Sequence, residues 1–409
     1  MSSIFFTSLS GLEASQDALD VTGNNIANSN TTAYKAQQIN FADMFLDTLT
    51  SNGAGMPLQL GNGVMTSSIE GNLSQGAINP SASPTDMAIS GNGYFVVDDQ
   101  AGAQSYTRAG NFTLNKDGFL VTPGGQELQG YAAVNGVVPP NAALTALQIP
   151  IGSTIPPTTT ANVTMQTNLD ATAAVGTSFT ASVQVYDSLG ASHTLNVVYT
   201  ETANQQYSVA ANLDGNAATV SPAAVAFDQN GKLTTPAPPA SLVVTPDQTK
   251  LNGASLPTIN VNLYGPDGKT PVITNYAAAS NVASTSQDGS AAGTISSISV
   301  DNTGTISATF TNGKTAGLGQ VALATFNSPQ GLQQLTGSLY GVTNTSGPPS
   351  IGAPNSGPRG SISGGALEQS NVDISTEFTN LIVEQRSFQA NSRVITTVNQ
   401  AFQDLLQII

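Results

Sequence analysis

His193 is the only histidine in 409 residues, and there is no cysteine. The side chains best suited to metal ligation, nucleophilic attack and proton transfer near neutral pH are therefore almost absent. Zero cysteine excludes disulfides, thiolate metal sites and cysteine nucleophiles. His193 stands two residues before the alternation Leu195/Val197/Tyr199 and beside a turn, so it reads as a solvent-exposed strand residue with no second histidine to complete a metal site. Gly61-Asn62-Gly63 and Gly91-Asn92-Gly93 resemble fragments of phosphate loops. Neither has the third glycine or the Lys-Ser/Thr of such a loop, so turn geometry explains them. Asp98-Asp99 lacks the alternating oxygen ligands of a calcium loop. The remaining carboxylates are scattered beside turns and leave open one enzyme chemistry, an acid pair meeting in a cleft. With no Trp and 6 % aromatic residues, the chain is poorly equipped to stack sugars in such a cleft. The expectation is a protein that is not an enzyme, with no cofactor and no metal site.

The composition points elsewhere. Ten Lys+Arg against 25 Asp+Glu give a net charge of −15, which repels nucleic acid and anionic membrane surfaces. Charged residues make up only 9 %, against about a quarter in ordinary soluble domains, so the surface must be largely Ser, Thr, Asn, Gln and Gly, as in extracellular assemblies. The first basic side chain is Lys35, so the N-terminus has no basic region ahead of an apolar core and predicts no cleaved signal peptide. No apolar run approaches the length of a membrane span, and no membrane insertion is expected.

What the sequence does specify is a pair of helices at its ends. Ile374, Leu381, Phe388, Ile395, Phe402 and Ile409 recur every seven residues, a spacing that only an α-helix turns into one line. Asp373 occupies the N-cap position, Glu377 lies in the first turn, and neither Gly nor Pro interrupts the chain from Asn371 onward. Val398 and Leu405 widen the stripe near its end. Glu377, Glu384 and Asn391 stand where a dimeric zipper would carry Leu, which argues against a free-standing two-stranded zipper. The candidate partner is the other terminus, where Phe5, Leu12, Leu19 and Ile26 also step by seven, with Leu9 beside them. Two amphipathic helices on one globular core would give the same pattern.

Between the helices the sequence reads as β. Residues 35–49 fit a short helix or a strand equally, and Ser51–Gly63 reads as a linker or loop. Lys116-Asp117-Gly118 predicts a hairpin turn between Phe112/Leu114 and Phe119/Val121. Pro139-Pro140, Pro150 and Pro156-Pro157 punctuate the passage into a second β region, in which Val183/Val185 and Leu195/Val197/Tyr199 flank the turn Asp187–Gly190. Tyr276–Ala292 is small and polar and predicts the exit from that region, and Gly347–Gly365 reads as a Gly/Ser/Pro-rich linker. The predicted fold is mainly β with long terminal α-helices that form a coiled coil, and with two β-rich domains inserted between them. Its parts are a terminal coiled-coil domain (1–30 and 371–409), a linker region (31–68 and 348–370), an inner β domain (69–145 and 284–347) and an outer β domain inserted at 146–283. Helices set apart by linkers are expected to pack on each other and on copies from other subunits.

Four stretches carry a resemblance to a known family. They are Asn24–Lys35, with Asn28, Thr32, Tyr34 and Lys35; Asp86–Val97, with Gly91, Gly93 and Phe95; Tyr106–Phe112, with Arg108 and Gly110; and Leu367–Ser387, with Asn371 and Asp373. Together they resemble the rod and hook family of axial proteins of the bacterial flagellum, and within it the hook members most closely. Ala33 stands where the family usually has Gly. The likeness is thinner over 146–283.

The resemblance implies a structural subunit whose terminal helices form an antiparallel coiled coil lining a narrow channel, with copies stacked helically into a tube. That tube is a universal joint carrying torque from rod to filament. The implied partners are further copies of the chain, the distal rod protein, the hook cap, the hook–filament junction protein and the flagellar export apparatus, with extracellular location in the hook. The implied assembly seam comprises Phe5, Leu9, Leu12, Leu19, Ile26, Ile374, Leu381, Phe388, Ile395, Val398, Phe402, Leu405 and Ile409. The alternatives are a distal rod protein of the same family, which the inserted outer domain argues against, and a surface adhesin or fibre-type binding protein, which would not need matched helices at both ends.

Overall fold

The computed structural model describes residues 2–44, 46–51, 57–99, 101–134, 136–139, 142–150, 152 and 154–408. Helix α1 spans Ser2–Ala27 and helix α2 spans Ile374–Ile408, and every other extended element is a strand or a single 3-10 turn. The chain divides into two compact units. The first comprises 1–151, 298–308 and 316–409, and the second 152–297 and 309–315.

In the first unit α2 begins as its sequence dictates. The Asp373 carboxylate accepts from Ser375 N at 2.8 Å and Thr376 N at 3.2 Å, satisfying two of the amides a helix start leaves unpaired. At 35 residues α2 is about 52 Å long, against about 39 Å for the 26-residue α1.

The segments expected to be linkers are ordered β structure. Strand Gln37–Asp43 pairs antiparallel with Val64–Gly71 around a bulge at Asn40/Phe41, and Leu46–Ser51 pairs with Pro57–Gly61. This settles the open choice over 35–49 as strand and replaces the loop read at Ser51–Gly63 over Pro57–Gly61, residues 52–56 lying outside the described residues. Likewise Ser361–Gly364 pairs with Met87–Ser90, and Ala366–Glu368 with Ile78–Pro80. Gly and Ser composition misled because it weakens a strand's intrinsic preference without preventing a partner strand from satisfying its backbone. The helices are thus not loosely tethered: Ser10 Oγ accepts from Val64 N, and Thr66 Oγ1 donates to Asp17.

Tyr94–Asp98 forms the middle of this unit's β core, pairing with Gln104–Thr107, Glu127–Ala132 and Leu323–Thr325. Phe95 and Phe112 meet edge to face at 5.1 Å, and Tyr94, Tyr106, Phe326 and Tyr340 form a second aromatic cluster. The glycines of the motif are needed there. A Cβ on Gly110 would lie 1.5 Å from Met87 O, and Gly91 and Gly93 take φ of +100° and +130°.

The second unit has its own core, built from alternate residues of long strands. Ser178–Tyr186 and Ser192–Ala203 form the expected hairpin, with Val183, Val185, Leu195, Val197 and Tyr199 buried. Asn162–Asp170 pairs parallel with Ile259–Asn262 and Ile273–Tyr276 and antiparallel with Asn281–Gln287. The polar stretch read as an exit from this region therefore contains a full strand.

His193 is not the free surface residue its sequence suggests. Its Nδ1 lies 2.6 Å from Asp214 Oδ2 and its Nε2 lies 3.0 Å from Asp187 Oδ2, with the ring only 14 % exposed. Two ionised carboxylates are acceptors only, so the arrangement favours the imidazolium, in which both ring nitrogens donate. Burial works against that charge, but the Asp187 and Asp214 hydrogen bonds outweigh it and hold the pKa above its usual value.

Candidate assembly site

Asn28, Thr32, Tyr34, Lys35, Arg108 and Asn371 lie where both helices join the β strands of the first unit. Asn25, 1 % exposed on α1, acts as a false strand: Oδ1 accepts from Gln37 N and Nδ2 donates to Gln37 O, both at 2.8 Å. The same Asn25 receives the Tyr34 hydroxyl at 3.2 Å and donates to Glu377 of α2 at 3.3 Å. Burial, and then the Glu377 carboxylate, push the Tyr34 phenol above its ordinary pKa. Asn371, just before α2, accepts from Ala36 N at 2.7 Å and donates to Asn72 O and Ser74 O. Asn28 caps the turn after α1 by accepting from Thr31 Oγ1, and Thr32 beside it is half-buried. Ala33 takes φ +56°, the left-handed backbone for which a glycine is the usual residue, and donates its amide to Glu368 O at 2.9 Å.

Beneath this lies a buried ion cluster. Lys35 Nζ donates to Glu368 Oε1 at 2.6 Å and to Ser74 O at 2.8 Å, and Gly76 N donates to the same carboxylate oxygen. Arg108 Nε lies 3.6 Å from Glu368 Oε2, while Nη1 donates to Gly91 O and Gly93 O. Glu368 is fully buried and Lys35 is 3 % exposed. Burial pulls the Lys35 ammonium below its ordinary pKa, against the opposing pull of the Glu368 hydrogen bond. The cluster ties together residues close to α1, residues close to α2 and the family's Arg108–Gly110 turn.

Above the junction the helices run antiparallel. Asn25 meets Glu377, and Gly11 approaches so closely that a Cβ there would stand 2.8 Å from Asn391 Nδ2. These two pairs have the same sum of residue numbers, as an antiparallel register requires. The buried face of α1 is made of small residues: Ser8, Gly11, Ser15, Ala18, Thr22 and Asn25 recur at intervals of three and four, with Ala14 and Val21 alongside. Ser8 and Ser15 return their hydroxyls to the carbonyls of Ile4 and Gly11, so they bury no orphan donor. The α2 face is half-buried at Glu377, Leu381, Glu384, Phe388, Asn391, Ile395 and Val398.

The seam residues expected on α1 lie beside that contact, not in its centre. Phe5, Leu9, Leu12, Leu19 and Ile26 are half-buried, and Phe6 is 62 % exposed. On α2, Ile374, Phe378, Ile382 and Val383 are exposed, as is Phe402, which the register carries past the first residue of α1. The Leu405 side chain and Ile409 lie outside the described residues. Searching for large apolar residues missed the small-residue face, Asn25 and Glu368. The three-four spacing of Ser, Gly, Ala and Thr in 8–25 was the signal available.

Four family models match the chain in order. Residues 6–35 match the flagella basal body rod protein, 88–168 the flagellar hook protein FlgE/F/G D1 domain, 157–290 the flagellar basal body protein FlaE D2 domain, and 363–408 the flagellar basal body rod FlgEFG protein C-terminal model. The flagellar hook protein FlgE of Salmonella typhimurium is 32 % identical over 425 residues, spanning 99 % of each chain. The chain belongs to the flagellar hook protein family. The Rhizobium meliloti hook protein FlgE is 33 % identical over 98 % of each chain. The crystal structure of Helicobacter pylori hook protein FlgE2 superposes with a TM-score of 0.52 at 15 % identity, covering 71 % of this chain and 99 % of that one, a likeness of fold. The junction built on Lys35, Arg108, Glu368 and Asn371 therefore belongs to a flagellar hook protein. Among the described residues no three His, Cys, Asp or Glu side chains are grouped to hold a metal ion, and no helix is long and apolar enough to cross a membrane.

Proposed function

We propose that the chain is the structural subunit of the bacterial flagellar hook, polymerising into a helical tube that bends while passing torque from rod to filament. The observation that carries this is the division of labour on the helices. A seam of small residues satisfies the pair within one chain, while Ile4 and Phe6 on α1 and Phe378, Ile382 and Phe402 on α2 keep much of their apolar surface for other copies, with Phe5, Leu12 and Leu19 half-buried beside the seam. Torque between the helical tube and the β strands would cross the junction of Asn25, Lys35, Glu368 and Asn371. The terminal domain, the inner β domain and an inserted outer domain are the corresponding layers of the subunit. The distal rod protein, the hook cap, the hook–filament junction protein and the flagellar export apparatus are its proposed partners, the last delivering it outside the cell.

Electron microscopy of the purified chain under polymerising conditions tests this reading. The full chain is expected to give tubes, and a chain lacking residues 2–27 soluble particles with unchanged β circular dichroism. Tubes formed without α1 would place the assembly surface elsewhere, and an intact chain that never polymerises would remove the proposal.

A further inference from the structure

Five Asn-Gly pairs occur among the described residues, at Asn62, Asn92, Asn230, Asn252 and Asn312. The chemistry available to such a pair is intramolecular: the glycine has no side chain to hinder its own nitrogen from reaching the neighbouring amide carbon. The fold blocks this at four of the five. Gly93 and Gly231 are buried, and Gly231 N is engaged by Asp228 O at 2.9 Å. Gly313 N is held by Phe310 O at 2.9 Å, while the Asn312 side chain donates to Ala291 O and accepts from Lys314 N. Asn62 and Gly63 are half-buried, and a Cβ on Gly63 would stand 2.1 Å from Ser10 Oγ.

Asn252-Gly253 is the one described pair with both residues exposed. No atom lies within 4 Å of the place a Gly253 Cβ would take. Among the described residues nothing accepts from Gly253 N–H. The pair forms the corner of a tight turn, with φ +50° and +88°, closed by Ala254 N donating to Leu251 O at 2.9 Å. Leu251, Ala254 and Leu256 are buried on either side and fix the turn in place.

We infer that Asn252 is a site of spontaneous deamidation in the folded subunit. Gly253 N gives up its proton to water or hydroxide and attacks Asn252 Cγ. The bond from Cγ to the side-chain nitrogen breaks, ammonia leaves, and a five-membered succinimide forms. Water then opens the ring at one carbonyl or the other, leaving an aspartyl or an isoaspartyl residue at position 252. No oxidant, metal or enzyme is required. The product carries a new negative charge in the second unit. In the isoaspartyl form it also carries one extra methylene in the backbone between two buried anchors.

The test is peptide mapping by mass spectrometry of the folded full chain incubated at mildly alkaline pH, with a parallel sample in urea. Ring closure at Asn230 or Asn312 must first break a glycine N–H hydrogen bond, which slows it by about fivefold. The Asn252 peptide is expected to lead those of Asn230 and Asn312 by at least that factor when folded and to lose that lead in urea. Equal rates in the folded chain, or the same lead in urea, would overturn the inference, because the fold would then not select the site. Asn252→Gln, whose longer side chain disfavours the five-membered ring, is expected to slow product formation at position 252 while leaving the rates at Asn230 and Asn312 unchanged. Product appearing at position 252 at the same rate would exclude ring closure by Gly253 N.

Discussion

Replacing Lys35 by Met tests whether the buried ion cluster holds the helices to the β strands. Met matches the length of the lysine stem and removes only the charged end, leaving Glu368 fully buried with Gly76 N at 3.0 Å and Arg108 Nε at 3.6 Å. Breaking a buried pair by removing one member costs up to about 3–5 kcal/mol where the survivor is left uncompensated, and Arg108 at 3.6 Å offsets part of that for Glu368. Lys35→Met with Glu368→Gln removes that pair of charges, keeps an acceptor for Gly76 N and leaves Arg108 held by Gly91 O and Gly93 O, so it is expected to recover part of the loss. Hydrogen exchange reads the effect locally. The Ala33 amide donates to Glu368 O and the Ala36 amide to Asn371 Oδ1, and both sit on the junction. A loss of up to about 3–5 kcal/mol lowers their protection by up to about a hundredfold to several thousandfold, or to the floor where protection is exhausted. Peptides from the second unit should not change. Were the double substitution as damaging as Lys35→Met alone, the cost would come from lost packing, and the account of an uncompensated charge would be wrong.

Other consequences are as direct. Phe402→Asp removes about 1.5–3 kcal/mol of apolar burial per subunit in the polymer and forces a charge into the contact, so tubes should fail to form while β circular dichroism persists. Gln403→Asp, its exposed neighbour, should assemble nearly normally, and equal behaviour of the two in electron microscopy would exclude Phe402 from the seam. His193, with its pKa raised in the fold, contributes stability that is fully present below its unfolded value of about 6.5 and is lost as pH rises through the folded value. The melting temperature of the second unit should therefore fall between neutral and alkaline pH, and His193→Gln should flatten that slope; an unchanged slope would show that the imidazolium bridge adds nothing. Tyr199 is buried with no partner for its hydroxyl, so Tyr199→Phe should stabilise the second unit by about 1–3 kcal/mol in urea titration, and a loss of stability would mean that the hydroxyl is satisfied.

The parts of the fold that repeat locally were legible in the sequence. The seven-residue spacing and Asp373 gave α2 its position and start, and alternation around Asp187–Gly190 gave the hairpin and its inward faces. Contacts spanning the chain were not. Glu368 is an unremarked carboxylate until strand pairing sets it against Lys35, and Asn25 is one polar residue on an amphipathic helix until Gln37 folds beneath it. The linker reading failed for a related reason. Gly and Ser tell what a segment prefers alone, whereas residues 361–368 are strands because Met87–Ser90 and Ile78–Pro80 offer them open edges. The α1 seam was sought among its largest residues, but close approach of two helices selects the smallest.

The antiparallel pairing of the termini also orders events in time. Asn25 and Glu377 touch across 352 residues of chain, so closing that loop gains nothing until almost the whole polypeptide exists. Synthesis delivers the N-terminal end first. Through most of the subunit's making α1 has no partner of its own, while hairpins such as Ser178–Ala203 can close as soon as they emerge. The helical pair is completed last, and a half-made chain lacks the surface with which it could join a growing tube.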